Sequence, residues 1–497
     1  MSPTTQPEVI IIGAGLGGLS AALDLALSGV RVLVLERHNL PGGFATSFKR
    51  GRFEFEPSLH ELGASPAVDF LKDVLPDLTF CEVPEAYRVI LTDENVNFRA
   101  PYGPAEFTQA VIDATTCDEK PIRDFMEICG KTFDAFAYLG ENPRPNPKVL
   151  TGRFGDFLRT GASVPDEVAD SVGLPIEARN LIYPYWCYLG VGTHRVSFSI
   201  WGSLIHSYLK FGAVIPSTRS HGITAGMATA IADNGGRIRY NAEVRHVVTK
   251  GKRITGVRLA DGEQIDCEYL ISNISHHRLF GDLIDNPPKR SLKLVNARSQ
   301  GMSLFVVYLG LDAGMEEMGF TDYSYFIAPH MNTKDLEAKV FNRFDPEPMQ
   351  ASICLNAADP TASPPGTTIL SITVGTRAEA WADVTPENYH REKMRLAELL
   401  IDQFERATGI TLRGHIEEIE TAAPPTFSRY TGSWDGSVYG YEPEPWDGIL
   451  PRVLSQGKER FYSNLRYAGG NAYRAYGYGS SIMSGRSAAE SILEAKK

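Results

Sequence analysis

A glycine-rich turn close to the start of the chain limits the fold more than any other sequence feature. The apolar run Val9 to Ile12 leads into Gly13-Ala-Gly-Leu-Gly-Gly18, and an Ala- and Leu-rich stretch follows. This order predicts a buried parallel strand, a tight turn and a helix. In such a turn Gly13 permits the sharp bend, Gly15 lets a pyrophosphate approach the backbone, and Gly18 lets the helix pack closely on the strand.

An acidic residue lies where a dinucleotide would need it. Arg31 to Leu35 is predicted to be the second strand, and Glu36 follows it, 18 residues after Gly18. A carboxylate there would bond the ribose hydroxyls. The diphosphate would lie at the helix N-terminus, where free N–H groups and the helix dipole favour anions. A glycine-rich turn without a ligand is the alternative, but the strand, the helix and the acid together favour a dinucleotide-binding unit.

The residues after Glu36 indicate which dinucleotide is bound. Gly42 and Gly43 would let the chain fold back over the diphosphate. At this point the sequence resembles the large family of two-domain flavoproteins that includes amine oxidases and carotenoid desaturases, and the resemblance implies FAD. Amine oxidases usually carry an arginine after the glycine pair, whereas Phe44 stands here. The resemblance therefore points to the branch of bacterial phytoene desaturases, carotenoid cis–trans isomerases and retinol saturases.

Further segments extend the resemblance over both ends and much of the second half of the chain. It is weak between residues 82 and 218, where a substrate would bind. The segments are Phe53 to His60, Gly222 to Gly236, Asn241 to Val244, Ile271 to Asn273, His276 to Arg278, Thr426 with Arg429 to Gly432, Gly436 to Gly440, Tyr467 to Asn471 and Gly479 to Arg486.

The resemblance also implies the FAD contacts, including an adenine-binding strand and a last helix predicted from Ser480 to Ala495. The N-terminus of that helix would face the pyrimidine edge of the flavin, where its dipole stabilises negative charge on the reduced cofactor. Packing of this helix on the first βαβ unit is a plainer role compatible with the other. The predicted contacts are Gly13, Ala14, Gly15, Leu16, Gly17, Gly18, Glu36, Arg37, Gly42, Gly43, Phe44, Ala45, Thr46, Val244, Gly470, Asn471, Gly479, Ser480, Ser481 and Ile482.

The predicted fold class is α/β, with a Rossmann-like FAD-binding domain plus a mixed-sheet and helical substrate domain. We expect the FAD-binding domain to be discontinuous, over residues 1–75, 215–285 and 450–497. The substrate domain would take residues 76–214 and 286–449. The segment Glu141 to Lys148 is predicted to be an extended connection between helices, because its three prolines disfavour a helix interior.

His60 is the best candidate for a catalytic residue in the N-terminal half. It follows the glycine-pair segment, so the chain would hold it near the isoalloxazine ring. A hydrogen-bonded structural histidine is the alternative. Glu54, Glu56 and Glu61 could be read as paired carboxylates, but their alternation with phenylalanines favours a solvated strand face. His276 is interpreted as structural.

The substrate would meet aromatic side chains. A tract from Tyr183 to Tyr208 would line a tunnel or a membrane-facing mouth in an enzyme for apolar substrates, although a helix core is the favoured interpretation. Arg195, Arg429 and Arg474 would suit a substrate carboxylate. The predicted substrate contacts are Tyr185, Trp186, Arg429, Tyr439 and Tyr478.

Charge and cysteine usage exclude several partners. The net charge of −11 argues against nucleic acid, because phosphate binding requires clustered lysine and arginine. The six cysteines are scattered without a Cys-x-x-Cys pair, which predicts no metal site and fits a reducing compartment. No signal peptide and no apolar run of roughly eighteen residues is visible. We therefore expect a cytoplasmic protein without a transmembrane segment, with peripheral membrane contact left open.

Together these features predict an FAD-dependent oxidoreductase acting on carbon–carbon bonds of an apolar, polyene or lipid-like substrate. Desaturation, saturation and redox-neutral isomerisation stay open, because all three use the same cofactor geometry. A flavin amine or amino-acid oxidase is one alternative. A lipid or prenyl carrier that has lost FAD on the same fold is another. The sequence has no second G-x-G-x-x-G motif for a nicotinamide domain.

Overall fold

The structure is a computed structural model that describes residues 6–142, 145–455, 461–472 and 476–497. Its strands are β1 (Val9–Ile12), β2 (Val32–Leu35), β3 (Phe48–Arg50), β4 (Phe53–Phe55), β5 (Leu62–Gly63), β6 (Phe80–Glu82), β7 (Tyr87–Leu91), β8 (Val96–Ala100), β9 (Ala213–Pro216), β10 (Arg237–Arg239), β11 (Val244–Lys250), β12 (Arg253–Leu259), β13 (Gln264–Asp266), β14 (Tyr269–Ser272), β15 (Ser303–Leu311), β16 (Ser324–Ala328), β17 (Gln350–Cys354), β18 (Thr368–Thr376), β19 (Ile416–Ala422) and β20 (Leu465–Tyr467).

Its α-helices are α1 (Leu16–Leu27), α2 (Pro66–Val74), α3 (Pro104–Asp113), α4 (Glu119–Glu141), α5 (Pro147–Arg153), α6 (Gly155–Thr160), α7 (Pro165–Val172), α8 (Ile176–Ile182), α9 (Phe198–Phe211), α10 (Arg219–Asp233), α11 (His276–Arg278), α12 (Lys289–Asn296), α13 (Met315–Met318), α14 (Thr333–Lys339), α15 (Tyr389–Thr408), α16 (Pro424–Thr431), α17 (Ile449–Ser455) and α18 (Gly477–Lys496). A 3₁₀ segment, Tyr183–Tyr188, joins α8 to the loop before α9.

A five-stranded parallel sheet carries the glycine-rich turn. Its strand order is β10-β2-β1-β14-β20. Successive side chains of β1 point to opposite faces. Val9 and Ile11 therefore pack with α1 and α18, while Ile10 and Ile12 pack with the antiparallel sheet β11-β12-β13. Because both faces are covered, all of β1 and β2 is buried, as a continuous apolar run in a parallel strand predicts.

The strands of this sheet come from stretches that are far apart in the sequence, residues 9–35, 237–272 and 465–467. Each stretch lies inside a segment predicted for the FAD-binding domain. The α/β fold class is confirmed by the sheets and helices that the structure contains. The division of the chain into two domains at the expected boundaries stays a prediction.

A seven-stranded mixed sheet forms the other large layer, in the order β19-β15-β18-β17-β16-β7-β8. All neighbouring strands are antiparallel except β16 and β7. On β15, Phe305 and Val307 face α15, whereas Val306 and Tyr308 face the core that contains α4 and α9. This second core encloses the site described below.

Two local expectations differ from the structure. Helix α4 continues to Glu141 and α5 begins at Pro147, so the extended connection is shorter than predicted; Pro143 and Arg144 within it lie outside the described residues. Proline is accommodated at the first helical position because the N–H that it lacks would have no partner inside the helix. The last helix begins at Gly477 rather than Ser480. Within the described part of the chain, no helix has the length and apolar character needed to cross a membrane.

Candidate cofactor and substrate site

One cavity of about 1540 Å³ runs from the glycine-rich turn into the core between the mixed sheet and the helices. Typical ligand pockets have volumes of roughly 300–1,000 Å³. The cavity is therefore large enough for a dinucleotide together with a second molecule. Residues of the parallel sheet line one end, and aromatic residues of Tyr183–Tyr188 and α9 line the other end.

The dinucleotide end is built by the turn between β1 and α1. Gly13 has a φ of +95°, which side-chain-bearing residues rarely adopt. A Cβ on Gly18 would lie 2.1 Å from the carbonyl oxygen of Gly13, so only glycine allows this close helix–strand packing. Gly15 is the N-cap of α1, and a Cβ there would lie 2.9 Å from Nδ2 of Asn273. The first turn of α1 contains no acidic side chain, which leaves the positive end of the helix dipole open to an anion.

Glu36 is held in a fixed orientation beside this turn. Its Oε2 accepts a hydrogen bond from the backbone N–H of Ala14 at 2.7 Å, and its Oε1 accepts one from the N–H of His38 at 2.8 Å. Each carboxylate oxygen has a second lone pair, and Glu36 lines the cavity. The side chain can therefore accept hydrogen bonds from ribose hydroxyls without rearrangement.

The glycine pair closes the cavity from the other side. The N–H of Gly42 donates to the carbonyl of Ala14 at 2.8 Å, and Gly42 and Gly43 have φ values of +124° and +62°. The next residue, Phe44, stacks on Phe427 with ring centroids 5.8 Å apart. An apolar aromatic pair thus occupies the place where the resemblance to amine oxidases would require an arginine.

Most of the predicted FAD contacts line this cavity. They are Gly13, Gly15, Leu16, Gly17, Glu36, Arg37, Gly42, Gly43, Phe44, Ala45, Thr46, Val244, Gly470, Asn471, Gly479, Ser480 and Ser481. Ala14, Gly18 and Ile482 do not line it. Ala14 and Gly18 act through the contacts with Glu36 and Gly13 given above. Ile482 is fully buried, and its carbonyl accepts a hydrogen bond from Ser20 at 2.8 Å, so it packs α18 on α1.

Asn273 and Arg278 belong to this end of the cavity and were absent from the predicted contacts. Asn273 donates from Nδ2 to the carbonyl of Gly13 at 3.2 Å, and Arg278 pairs with Glu243 at 2.9 Å. Both residues lie in the segments that resemble the flavoprotein family, which was the available sequence signal. Arg37, whose pKa is lowered by burial and by the neighbouring Arg278, donates to the carbonyl of Arg429 at 2.6 Å.

The end of the cavity that is predicted to hold the flavin, called the flavin end below, lies where β20 leads towards α18. Asn471 lines the cavity there, and its buried Oδ1 has no hydrogen-bond partner among the described residues. A buried amide oxygen without a partner is costly, so it suits the N–H of a bound heterocycle. The residues present thus fit FAD: a glycine cradle for the diphosphate, a carboxylate for the ribose and a free acceptor beside the last helix.

A buried carboxyl, Glu56, lies behind this part of the cavity and does not line it. Glu56 accepts hydrogen bonds from the N–H and the hydroxyl of Ser220, at 2.5 and 2.7 Å. Ser220 Oγ also lies 3.1 Å from the hydroxyl of Tyr478, which lines the cavity and donates to the carbonyl of Phe44 at 3.1 Å. Burial raises the pKa of Glu56 to about 7. The prediction of a solvated strand face is therefore wrong for Glu56, because α10 covers that side of the segment.

His60 lies at the border of the aromatic end of the cavity, and both of its ring nitrogens have hydrogen-bond partners. Its Nδ1 is 2.9 Å from the hydroxyl of Tyr188, and its Nε2 is 3.0 Å from the hydroxyl of Thr373. Burial lowers the pKa of His60 to about 4, so the ring is neutral near pH 7. Its carbonyl accepts a hydrogen bond from Tyr323. These contacts are those of a histidine that positions its neighbours.

Glu61 also departs from the predicted solvated face. Its carboxylate accepts hydrogen bonds from the hydroxyls of Tyr185 at 2.7 Å and Tyr188 at 3.3 Å. Burial raises its pKa to about 7. The residue lies deep in the molecule but keeps partial accessibility because it faces the cavity. The third glutamate of the pattern, Glu54, is half-buried and lies 3.7 Å from the ammonium of Lys49.

The aromatic tract divides between cavity and core. Tyr185, Tyr188 and Tyr208 line the cavity, and the rings of Tyr185 and Tyr208 stack with centroids 4.2 Å apart. Trp201 is fully buried in the core. Trp186, predicted to touch substrate, also lies outside the cavity, where its Nε1 donates to the sulfur of Met349 at 3.0 Å. The spacing and type of the aromatic residues in the sequence cannot distinguish the cavity wall from the core, because both are apolar.

The other predicted substrate residues have different positions. Tyr439 and Tyr478 line the cavity beside the flavin end, and Arg429 lines its exposed part near Arg37. Arg195 does not line it and is neutralised by ion pairs with Glu337 at 2.5 Å and Glu442 at 2.8 Å. Arg474 lies outside the described residues. His276 is buried away from the cavity, and burial lowers its pKa to about 3.

Among the described residues, no cluster of His, Cys, Asp or Glu could hold a metal ion.

The glycine-rich turn, a carboxylate positioned for a ribose, the Asn471 amide and the adjoining aromatic chamber fit a flavin-dinucleotide-binding oxidoreductase. The chain belongs to the family described as flavin containing amine oxidoreductase, which matches residues 16–493. This membership confirms the predictions of FAD and of a flavin-dependent enzyme.

The sequence relatives have diverse reactions. Prolycopene isomerase of Daucus carota is 25% identical over 458 residues, which cover 88% of this chain and 72% of the relative. All-trans-retinol 13,14-reductase of Danio rerio is 25% identical over 87% of this chain and 77% of the relative. Hydroxyneurosporene desaturase of Cereibacter sphaeroides is 24% identical over 98% and 97%. They confirm the predicted resemblance to the carotenoid desaturase and isomerase branch.

A solved structure confirms the fold. A putrescine oxidase variant with redesigned cofactor binding superposes with a TM-score of 0.70 at 16% identity, over 99% of this chain and 100% of that one. Its low identity limits the comparison to the arrangement of the strands and helices.

Proposed function

We propose that the protein uses FAD to desaturate, saturate or isomerise carbon–carbon bonds of an elongated apolar substrate of the polyene or lipid type. The observation that carries this proposal is the aromatic chamber that continues the cofactor cavity, lined by Tyr185, Tyr188, Tyr208 and Leu204. Such walls bind extended apolar chains by burial and ring contacts. FAD, when bound, supplies hydride transfer to or from carbon. The reactions named for the relatives support the same chemistry.

The chain's own residues would divide the work along the cavity. Gly15, Gly42 and Gly43 would hold the diphosphate, and Glu36 would bind the ribose. Asn471 and the N-terminus of α18 would contact the flavin ring. The tyrosines at the far end would orient the substrate and exclude water, which keeps a reduced cofactor from side reactions.

The test is turnover of defined polyenes under anaerobic conditions. Purified holoprotein is incubated with prolycopene, all-trans-retinol or hydroxyneurosporene, once with oxidised and once with chemically reduced flavin. We expect at least one to be converted, with a change in double-bond number or geometry seen by liquid chromatography and mass spectrometry. Extraction of the purified protein with organic solvent and mass spectrometry of the extract should reveal an apolar conjugated or unsaturated molecule. No conversion and no such molecule would contradict the proposal.

An amine oxidase is the second candidate, because a carboxylate inside an aromatic chamber, Glu61, also suits an ammonium group. Phe44 at the place of the usual arginine weighs against it. Oxygen-dependent release of hydrogen peroxide with a panel of mono- and diamines would favour the oxidase. The carrier alternative requires protein that stays colourless after reconstitution with FAD.

We further propose that the substrate enters from a membrane surface. Phe136 and Phe211 line the cavity and are 38% and 48% exposed. The ammonium of Lys210 lies over the rings of Phe133 and Phe211, at 5.1 and 5.4 Å from their centroids. Exposed aromatic rings beside a lysine suit the boundary between headgroups and acyl chains. Flotation with phosphatidylcholine vesicles should be weakened by Phe136→Ser with Phe211→Ser; equal flotation would contradict this proposal.

A further inference from the structure

Glu61 is the only carboxylate at the aromatic end of the cavity among the described residues. The other carboxylates that line the cavity are Glu36 and Glu243 at the dinucleotide end and Glu420, which lies beside Lys393. Glu61 forms no ion pair within the described part of the chain. Its partners are two phenol hydroxyls, and the side chain faces the space that a substrate would occupy.

The groups around Glu61 carry no charge near pH 7. Tyr185 and Tyr188, both in the 3₁₀ segment, donate hydrogen bonds to Glu61, and burial raises the pKa of both phenols. His60, the preceding residue, has a pKa lowered to about 4 by burial. The remaining titratable neighbours are Tyr102, Tyr208, Tyr323, Tyr439 and Cys187, and burial raises the pKa of each. Glu61 is therefore the one group of this set that can change its charge near neutrality.

We propose that Glu61 is the acid–base residue of this enzyme, exchanging a proton with a substrate carbon at the aromatic end of the cavity. This inference rests on the function proposed above. In the desaturating direction, one substrate carbon would give up a hydrogen with its bonding electrons, as a hydride, to bound FAD. The adjacent carbon loses a proton to a carboxylate oxygen of Glu61, and the electrons of that C–H bond form the new double bond. Saturation is the reverse, with protonated Glu61 as the donor.

The neighbouring residues fix the direction in which Glu61 acts. Tyr188 bonds both Glu61 and His60, and His60 is anchored to Thr373 on its far side. The chain of hydrogen bonds from Thr373 through His60 to Tyr188 therefore fixes one carboxylate oxygen of Glu61. The hydrogen bond from Tyr185 fixes the other oxygen. His60 and Tyr188 are positioning residues. The raised pKa of Glu61, about 7, matches what a group that both takes and gives a proton near neutrality needs.

The test compares Glu61→Gln with Glu56→Gln. Glutamine keeps the size, and its amide can accept a hydrogen bond from one tyrosine hydroxyl and donate one to the other, but it cannot exchange the proton. Glu56 is the matched control, since its carboxyl is also buried, its pKa is also raised to about 7, and it does not line the cavity. Both variants are assayed as FAD holoproteins with prolycopene, all-trans-retinol and hydroxyneurosporene. Each assay is run with oxidised and with chemically reduced flavin, and the rate is measured as a function of pH. Solvent deuterium entering the apolar fraction from D₂O is measured by mass spectrometry, and substrate binding by quenching of tryptophan fluorescence.

The expected result separates proton exchange from folding and binding. Glu61→Gln should keep its FAD and its affinity for the probe but lose about 10²–10⁴-fold in kcat, the usual contribution of general acid–base catalysis. The wild type should show a rate inflection near pH 7, rising with pH for desaturation and falling with pH for saturation. That inflection and the solvent deuterium should vanish in Glu61→Gln and persist in Glu56→Gln.

Three outcomes would overturn the inference, and they are distinguishable. If the wild type converts the probes but Glu61→Gln retains the inflection and the deuterium uptake, Glu61 exchanges no proton and only its own role falls. A loss of probe affinity with unchanged kcat has the same meaning, because Glu61 then binds substrate without reacting. If the wild type converts no probe under any condition and yields no apolar unsaturated molecule on extraction, the proposed function fails and the role of Glu61 falls with it.

Discussion

Replacement of Glu56 by glutamine should change the stability of the protein in a pH-dependent way. The folded state raises the pKa of this carboxyl from 4.5 to about 7, because α10 and the flavin end of the cavity bury it. Between these pH values the folded protein holds a proton that the unfolded chain has released. The stability that this proton provides is fully present below pH 4.5 and is lost as the pH rises through about 7. Glutamine does not titrate, so the variant avoids the loss.

The magnitude follows from the two pKa values. The full difference corresponds to about 3 kcal/mol, of which about 2–3 kcal/mol falls between about pH 5 and about pH 8.5. For a chain of 497 residues the unfolding entropy is about 1 kcal/mol/K, so the melting temperature of Glu56→Gln relative to wild type should rise by about 2–3 °C over that interval. Both hydrogen bonds to Ser220 can be kept by the amide, which limits the cost at low pH.

The assay is thermal unfolding of the FAD-saturated proteins, followed by circular dichroism at both pH values. Glu490→Gln, at an exposed glutamate of α18, is the matched control and should show the same offset from wild type at both. An equal offset for Glu56→Gln at the two pH values would refute the reasoning. It would mean that Glu56 is ionised in the folded state and that its surroundings are more polar than the contacts indicate.

Three further predictions follow from the site. Gly15→Val should reduce FAD affinity about 10²–10⁴-fold, because the side chain would displace the diphosphate from two N–H donors. The control is Gly314→Val, since Gly314 is also an N-cap with extended backbone and has open space around it. This control should retain the flavin absorbance. His60→Ala should retain FAD and lower kcat about 10-fold, or about 1.4 kcal/mol, by releasing its two hydroxyl partners; unchanged kcat would make it purely structural. Gly485→Val should give insoluble protein, because a Cβ there would lie 2.1 Å from the carbonyl of Gly17; soluble protein with a normal melting curve would contradict this packing.

The predictions that held depend on residues close together in the sequence. The strand, the glycine-rich turn, the helix and Glu36 fall within 28 residues, and each requires a particular residue type for a local steric or hydrogen-bonding reason. A Cβ on Gly18 is excluded by the backbone of Gly13 five residues earlier, so the motif itself specifies the geometry. The same locality explains why Gly42 and Gly43, which return to Ala14, were recognised.

The predictions that failed concern which side of a segment is buried. Alternation with Phe53 and Phe55 placed Glu54 and Glu56 together on the opposite face of the segment and assigned that face to solvent, whereas Glu56 is buried. Alternation specifies that faces differ and leaves open what covers them. Here α10 covers Glu56. Trp186 was predicted to line the cavity but lies in the core. The core and the apolar cavity both favour aromatic side chains, so residue type alone does not distinguish them.

The sequence by itself determined the dinucleotide-binding unit, because steric exclusion at glycines and the ribose-binding acid act over short distances. Only the tertiary structure decided the chemistry of the aromatic end of the cavity. Glu61, Tyr188 and Thr373 are separated by more than a hundred residues each. They are joined through His60 because the residues just before β5, the segment Tyr183–Tyr188 and β18 converge on one core. Removal from water, which raises the pKa of Glu61 and lowers that of His60, results from this convergence, and no local pattern encodes it.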